Sequence, residues 1–119
     1  MIEISYANVM NGLNKGLNMR LVCHTRQEAS WLFHRVCDLW HIENFTQASR
    51  HSLALVYGPS KLQIQCVSIS GMRPDNLRGF RGVFMIHPKL RDDGHFFSLN
   101  EMVQEMDHHN ERYLDQWRA

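Results

Sequence analysis

The chain is short of most features that mark a specialised class of protein. Only three of its 119 residues are cysteine, Cys23, Cys37 and Cys66. That number is odd and no C-x-x-C pair occurs, so neither a disulfide framework nor a zinc ribbon is indicated, and a reducing cytoplasm is the natural compartment. No run approaches the roughly 18 apolar residues of a membrane span, and residues 1–15 lack a basic stretch leading into an unbroken apolar one. No membrane partner and no processed leader are therefore expected. Three prolines and seven glycines are too few for a fibrous or low-complexity chain. No excess of one charge exists either: 13 Lys and Arg face 12 Asp and Glu, a formal net charge of +1, so no global field marks a nucleic-acid or membrane protein.

What is present suits one globular domain spanning residues 1–119, with 44% hydrophobic residues and a length at which roughly two-thirds of the unfolded surface can be buried without disulfides or a structural metal. The charge is unevenly placed. Residues 1–91 carry eleven Lys and Arg against five acids, a net of +6, whereas residues 92–119 carry two Arg against seven acids, a net of −5. Such a body binds anions or is neutralised by its own acidic segment folding back.

Periodicity and capping residues predict the elements. Tyr6, Val9, Met10, Leu13 and Leu17 fall at helical spacing behind Ser5, predicting a helix over about 6–16 that ends near Gly16. Met19 to His24 reads as a buried strand. Thr25-Arg-Gln-Glu28 has the form of a capping box, and Ala29, Leu32, Phe33, Val36, Cys37 and Trp40 continue it as one apolar stripe, predicting a helix over about 26–41. Leu53–Tyr57 and Leu62–Val67 flank Gly-Pro-Ser-Lys and should pair as a hairpin. A loop over 71–82 precedes Val83–Ile86, whose unbroken apolarity fits a strand covered on both faces. Ser98 to Glu101 forms a second capping box, predicting an acidic helix over about 99–117 striped by Leu99, Met102, Val103, Met106, Tyr113, Leu114 and Trp117. The order implies an α/β fold: a small, mainly parallel sheet with a β-hairpin and helices on both faces.

Three pieces in this order, Arg20-Leu-Val-Cys-His-Thr-Arg-Gln-Glu-Ala29, the hairpin, and Pro74-Asp-Asn-Leu-Arg-Gly-Phe-Arg-Gly-Val-Phe-Met-Ile86, resemble the middle of the P-loop (RecA-like) ATPase core of phage terminase large subunits and related helicases. The resemblance covers roughly residues 6–90 and implies a phage or mobile-element setting. It places residues 6–16 at the helix after the phosphate loop and Val83–Ile86 at the Walker B strand. The departures decide the chemistry. No G-x-x-x-x-G-K-[ST] occurs, since Gly12-Leu-Asn-Lys-Gly16 has the wrong spacing, and the strand that would carry such a loop is expected to be missing. His87-Pro88 follows the Walker B-like strand, and neither residue replaces the hard anionic ligands that magnesium requires. A degenerate core with no nucleotide cofactor and no ATPase activity is expected.

Other chemistry is thinly signalled. No G-x-S-x-G elbow exists, and the cysteines lie in apolar stretches where thiols are inert. The eight histidines include the cluster Asp107-His108-His109 with Glu111, which lacks any fixed zinc spacing and reads as a solvated helix surface, so no metal is expected. His24 and His87 end predicted central strands, where an imidazole either bonds nearby backbone or faces a ligand crevice. Trp31, Trp40 and Trp117 read as packing residues.

The clearest surface signal is the arginine loop, Arg73, Arg78 and Arg81 with Phe80, in which guanidiniums on a glycine-bearing segment can approach phosphates while Phe80 stacks or anchors. Arg26, at a helix start, adds a second phosphate-like site. These residues point to a non-catalytic accessory protein that binds nucleic acid. The alternative is a protein-binding regulator or inhibitor that docks on, or imitates part of, a larger motor, nuclease or defence assembly.

Overall fold

In a computed structural model of the protein, the described residues are 2–39, 45–49, 53–57, 62–68, 80–92, 101, 104–105 and 107–119. They form a six-stranded sheet whose spatial order is β1-β6-β2-β5-β4-β3. In chain order the elements are β1 (Ile2–Glu3), α1 (Tyr6–Asn14), β2 (Met19–Cys23), α2 (Arg26–Leu39), β3 (Phe45–Ser49), β4 (Ala54–Tyr57), β5 (Leu62–Ser68), β6 (Val83–Ile86), a 3-10 helix (Pro88–Asp92) and α3 (Glu111–Arg118).

Local chemistry sets the helix starts. The Ser5 hydroxyl accepts the Asn8 amide at 3.2 Å, capping α1, and the Asn8 side chain reaches back to the Glu3 carbonyl at 2.8 Å. The helix ends where Gly16 takes φ +67, a conformation that costs glycine nothing. At α2 the Thr25 hydroxyl accepts the Glu28 amide at 3.1 Å, while Glu28 Oε2 accepts the His24 amide at 3.2 Å. The carboxylate thus reaches one residue beyond the threonine, a longer version of the expected box.

The sheet is mixed. β1, β6, β2 and β5 run parallel, with Leu21 opposite Met85 on one side and Cys66 on the other; β4 pairs antiparallel with β5, as the expected hairpin requires, and β3 antiparallel with β4. The mainly parallel sheet expected from sequence describes only these four neighbouring strands. Two strands escaped the sequence reading. β3 is an edge strand, and β1 holds only two residues, too short for any periodic signal. β1 also corrects the expected missing strand: a strand does precede α1, and only Ile4 and Ser5 join the two.

One face holds the main core. Met19, Leu21 and Cys23 of β2, Val83 and Met85 of β6, and Ile64 and Cys66 of β5 form a buried cluster with Val9 and Leu13 of α1, Ala29, Phe33 and Val36 of α2, and Leu114 of α3. Helices α1, α2 and α3 thus all contribute to the cluster on this face. Alternate residues of β2 and β6 face opposite ways. Arg20, Val22, Phe84 and Ile86 occupy the other face, and all four residues of β6 are buried, as its apolar run predicts.

The C-terminal helix is also corrected. Residues 107–109 are helical, but Asn110 turns and caps a separate α3. The capping box at Ser98, the hairpin turn at 58–61 and Trp40 lie outside the described residues. No helix among the described residues is long and apolar enough to cross a membrane.

Candidate functional site

The structure sends the arginines predicted to act together to opposite ends of the sheet. Arg26 is exposed on the first turn of α2, just past the carboxyl end of β2, whereas Phe80 and Arg81 immediately precede β6 at the amino end of the strands. The five residues of β2 alone separate those ends by roughly 16 Å. Arg73 and Arg78 lie outside the described residues.

At the amino end a groove of about 370 Å³ is lined by Phe80, Arg81, His109, Asn110, Arg112 and Tyr113. Arg81, His109 and Arg112 are exposed, Tyr113 is half-buried, and the Arg112 guanidinium lies 5.8 Å from the Tyr113 ring centre. Phe80 anchors rather than stacks. Its ring packs edge-on against Phe84 at 4.9 Å between centres, and the Arg20 guanidinium covers a face at 4.8 Å. Burial lowers the Arg20 pKa, yet a guanidinium keeps its charge at any physiological pH.

Two asparagines hold this end together, and sequence reasoning assigned neither a role. Asn18 donates from Nδ2 to the Arg81 carbonyl at 3.2 Å, accepts the Gln63 amide on Oδ1 at 2.8 Å, and accepts the Val83 amide on its own carbonyl at 2.9 Å. Asn110 is 2% exposed, and its Oδ1 accepts the Gly82 amide at 3.1 Å. Gly82 has to be glycine, because a Cβ there would overlap the Asn18 carbonyl oxygen and sit 2.8 Å from its carbon. The segment leading out of the arginine loop is thereby clamped between β2 and the start of α3, opposite Arg112. A polar residue amid an otherwise acidic helical stretch was the available signal for Asn110.

The far end of α3 is tied to α1. Trp117 Nε1 donates to the Asn8 carbonyl at 3.2 Å, and the Trp117 carbonyl accepts from Asn11 Nδ2 at 2.7 Å and Lys15 Nζ at 2.8 Å. Lys15 Nζ also reaches the Ala119 oxygen. The terminal segment is thus fastened to the body through backbone oxygens, and the amino-end groove has one wall from each.

At the carboxyl end lies a second groove, lined by Ile4, Glu28, Trp31, Leu32, Arg35, His87 and Lys89, with a volume of about 320 Å³. Trp31 is 71% exposed, contrary to its reading as a packing residue. The helical stripe of α2 that meets the sheet runs through Ala29, Phe33 and Val36, and position 31 falls outside it. His87 follows the backbone-bonded reading: its Nδ1 accepts the Lys89 amide at 3.2 Å. Among the described residues no group of three His, Cys, Asp or Glu side chains could hold a metal ion. His108 instead pairs with Glu111 at 3.3 Å on an exposed surface. Cys23 and Cys66 are buried; burial, aided by the Glu28 charge, pushes the Cys23 thiol up to about 12, and burial raises Cys66 as well. Neither offers a thiolate nucleophile at neutral pH.

Compared with models of known protein families, with curated proteins and with solved structures, the chain matches none.

Proposed function

We propose that the protein is a non-catalytic accessory factor that binds single-stranded nucleic acid at the amino-end groove. The observation that carries this reading is the convergence of exposed Arg81 and Arg112 on a groove walled by Phe80 and Tyr113. Guanidiniums neutralise phosphates and present flat surfaces on which bases stack, and a half-buried tyrosine adds a second stacking face. In sequence, Arg73 and Arg78 precede Phe80 and Arg81 by a few positions and belong to the same proposal.

A distant, degenerate relationship to the P-loop ATPase core of phage terminases and helicases belongs to this proposal, together with the phage or mobile-element setting. It is supported by the order β2, α2, hairpin, β6, which runs as that resemblance implies. The same comparison supports a non-catalytic role. The link between β1 and α1 is Ile4-Ser5, too short and too bulky to wrap phosphates with backbone amides, and His87-Pro88 stands where acids would hold magnesium.

The test is fluorescence anisotropy with labelled single-stranded DNA and RNA 15-mers and a duplex control across a salt series. Arg81→Ala and Arg112→Ala should each weaken single-strand binding about uniformly over sequences and lower the salt slope by about 0.7 per lost contact. Unchanged affinity and slope in both variants refute the assignment. Saturable, magnesium-dependent ATP binding by calorimetry refutes the non-catalytic reading.

A further inference from the structure

The carboxyl-end groove is not used by the function proposed above, and it differs from the amino-end groove in kind. It continues past Trp31 in both directions. Toward α1 it shares Ile4, Leu32 and Arg35 with a cleft that Tyr6, Val9 and Val36 complete. Toward the start of α2 it shares Glu28 and Trp31 with a shallow recess bounded by Thr25 and Gln27. On α2 the lining runs from Gln27 to Val36, one side of the helix over about 14 Å at 1.5 Å per residue. The floor is aliphatic, and Tyr6 and Trp31 stand along it, 63% and 71% exposed.

Large aromatic side chains left in water beside an aliphatic floor and an arginine have the composition of a protein-binding hot spot rather than of a phosphate track. The rim sets the sign of the partner. Arg35, whose guanidinium lies 5.9 Å from the Trp31 ring centre, and Lys89 are exposed cations, and against them the lining sets one carboxylate, Glu28, so the rim keeps a net positive charge. A segment with carboxylates beside its apolar anchor gains on this rim what a basic segment would lose. We propose that this groove is a docking site for a short acidic segment of a protein partner, about two helical turns or four to five extended residues long, that seats a leucine or aromatic side chain on Ile4 and Leu32 against Trp31 and places carboxylates on Arg35 and Lys89.

The experiment is selection of displayed random 12-residue peptides on the full-length protein, followed by calorimetry of the enriched peptides with the wild type, Trp31→Ala and Arg35→Glu. Both substituted side chains are exposed, so the fold persists, and circular dichroism verifies it. Enriched peptides should carry Asp or Glu around a Leu, Phe or Trp, and each substitution should weaken them at least tenfold. Basic or uncharged winners, winners indifferent to both substitutions, or no winners overturn the proposal. Two further readouts overturn it by naming another occupant: a single-stranded DNA 15-mer whose binding is lost in Trp31→Ala, or a self-associated species in sedimentation that the same substitution dissolves. Arg81 and Arg112 stay intact throughout, so failure here is distinguishable from failure of nucleic-acid binding at the amino end.

Discussion

Replacing Asn110 with alanine removes the contact that joins the arginine loop to the C-terminal segment. The residue is 2% exposed, and its Oδ1 accepts the Gly82 amide at 3.1 Å. It also caps α3, but no side-chain bond within that helix depends on it, so loss of a helix cap adds nothing to the effect. Alanine leaves the buried Gly82 N–H without this acceptor, and an unsatisfied buried donor costs about 1–3 kcal/mol. Near 2 kcal/mol, a domain of this size loses roughly 6–12 °C in melting temperature. Thermal unfolding followed by circular dichroism measures the global effect, and hydrogen exchange of the Gly82 amide measures the local one. Because Arg81 precedes Gly82 and Arg112 follows Asn110, single-strand affinity should also fall severalfold at temperatures where the variant is folded. A melting temperature within 1 °C of wild type together with unchanged Gly82 protection would refute the clamp.

Three further outcomes follow from the packing. Gly82→Ala drives a Cβ into the Asn18 backbone and should cost about 3 kcal/mol or more, whereas Gly12→Ala meets the flexible end of the Met19 side chain and should cost clearly less; equal costs in urea unfolding would contradict the geometry. Trp117→Ala removes a half-buried ring and its bond to the Asn8 carbonyl, so it should destabilise by about 2 kcal/mol, while an unchanged melting temperature would make α3 an interface element instead of a packed one. Burial raises the Asp107 pKa, opposed in part by Arg118. The fold therefore favours the protonated carboxyl, whose contribution is fully present below the unfolded value of about 4 and is lost as pH rises through the folded one. Asp107→Asn should accordingly gain in melting temperature over wild type as pH goes from 4 to 7, and a constant or shrinking difference would contradict this.

Elements whose signal is local were legible in the residues themselves. Ser5 and Thr25 with Glu28 announced two helices because a cap bond involves only neighbours three or four positions away. The alternation of Leu62, Ile64 and Cys66 announced a strand because one face of β5 is buried. The amphipathic phase of α2 was legible too, but not which side of it stays wet. Trp31 looked like a packing residue until the sheet showed that Ala29, Phe33 and Val36 suffice to cover it.

Tertiary structure alone decided the rest, because the deciding partners are far apart in the chain. β1 is two residues long and exists as a strand because β6, over eighty positions later, offers it a ladder. The break at Asn110 comes from Gly82, 28 residues away, whose buried amide draws that side chain inward. The separation of Arg26 from Arg81 comes from the shared direction of β2 and β6, which puts the exit from β2 into α2 at one end of the sheet and the entry into β6 at the other. No pattern of spacing along a single chain carries that information, since it arises only when β2 and β6 lie side by side.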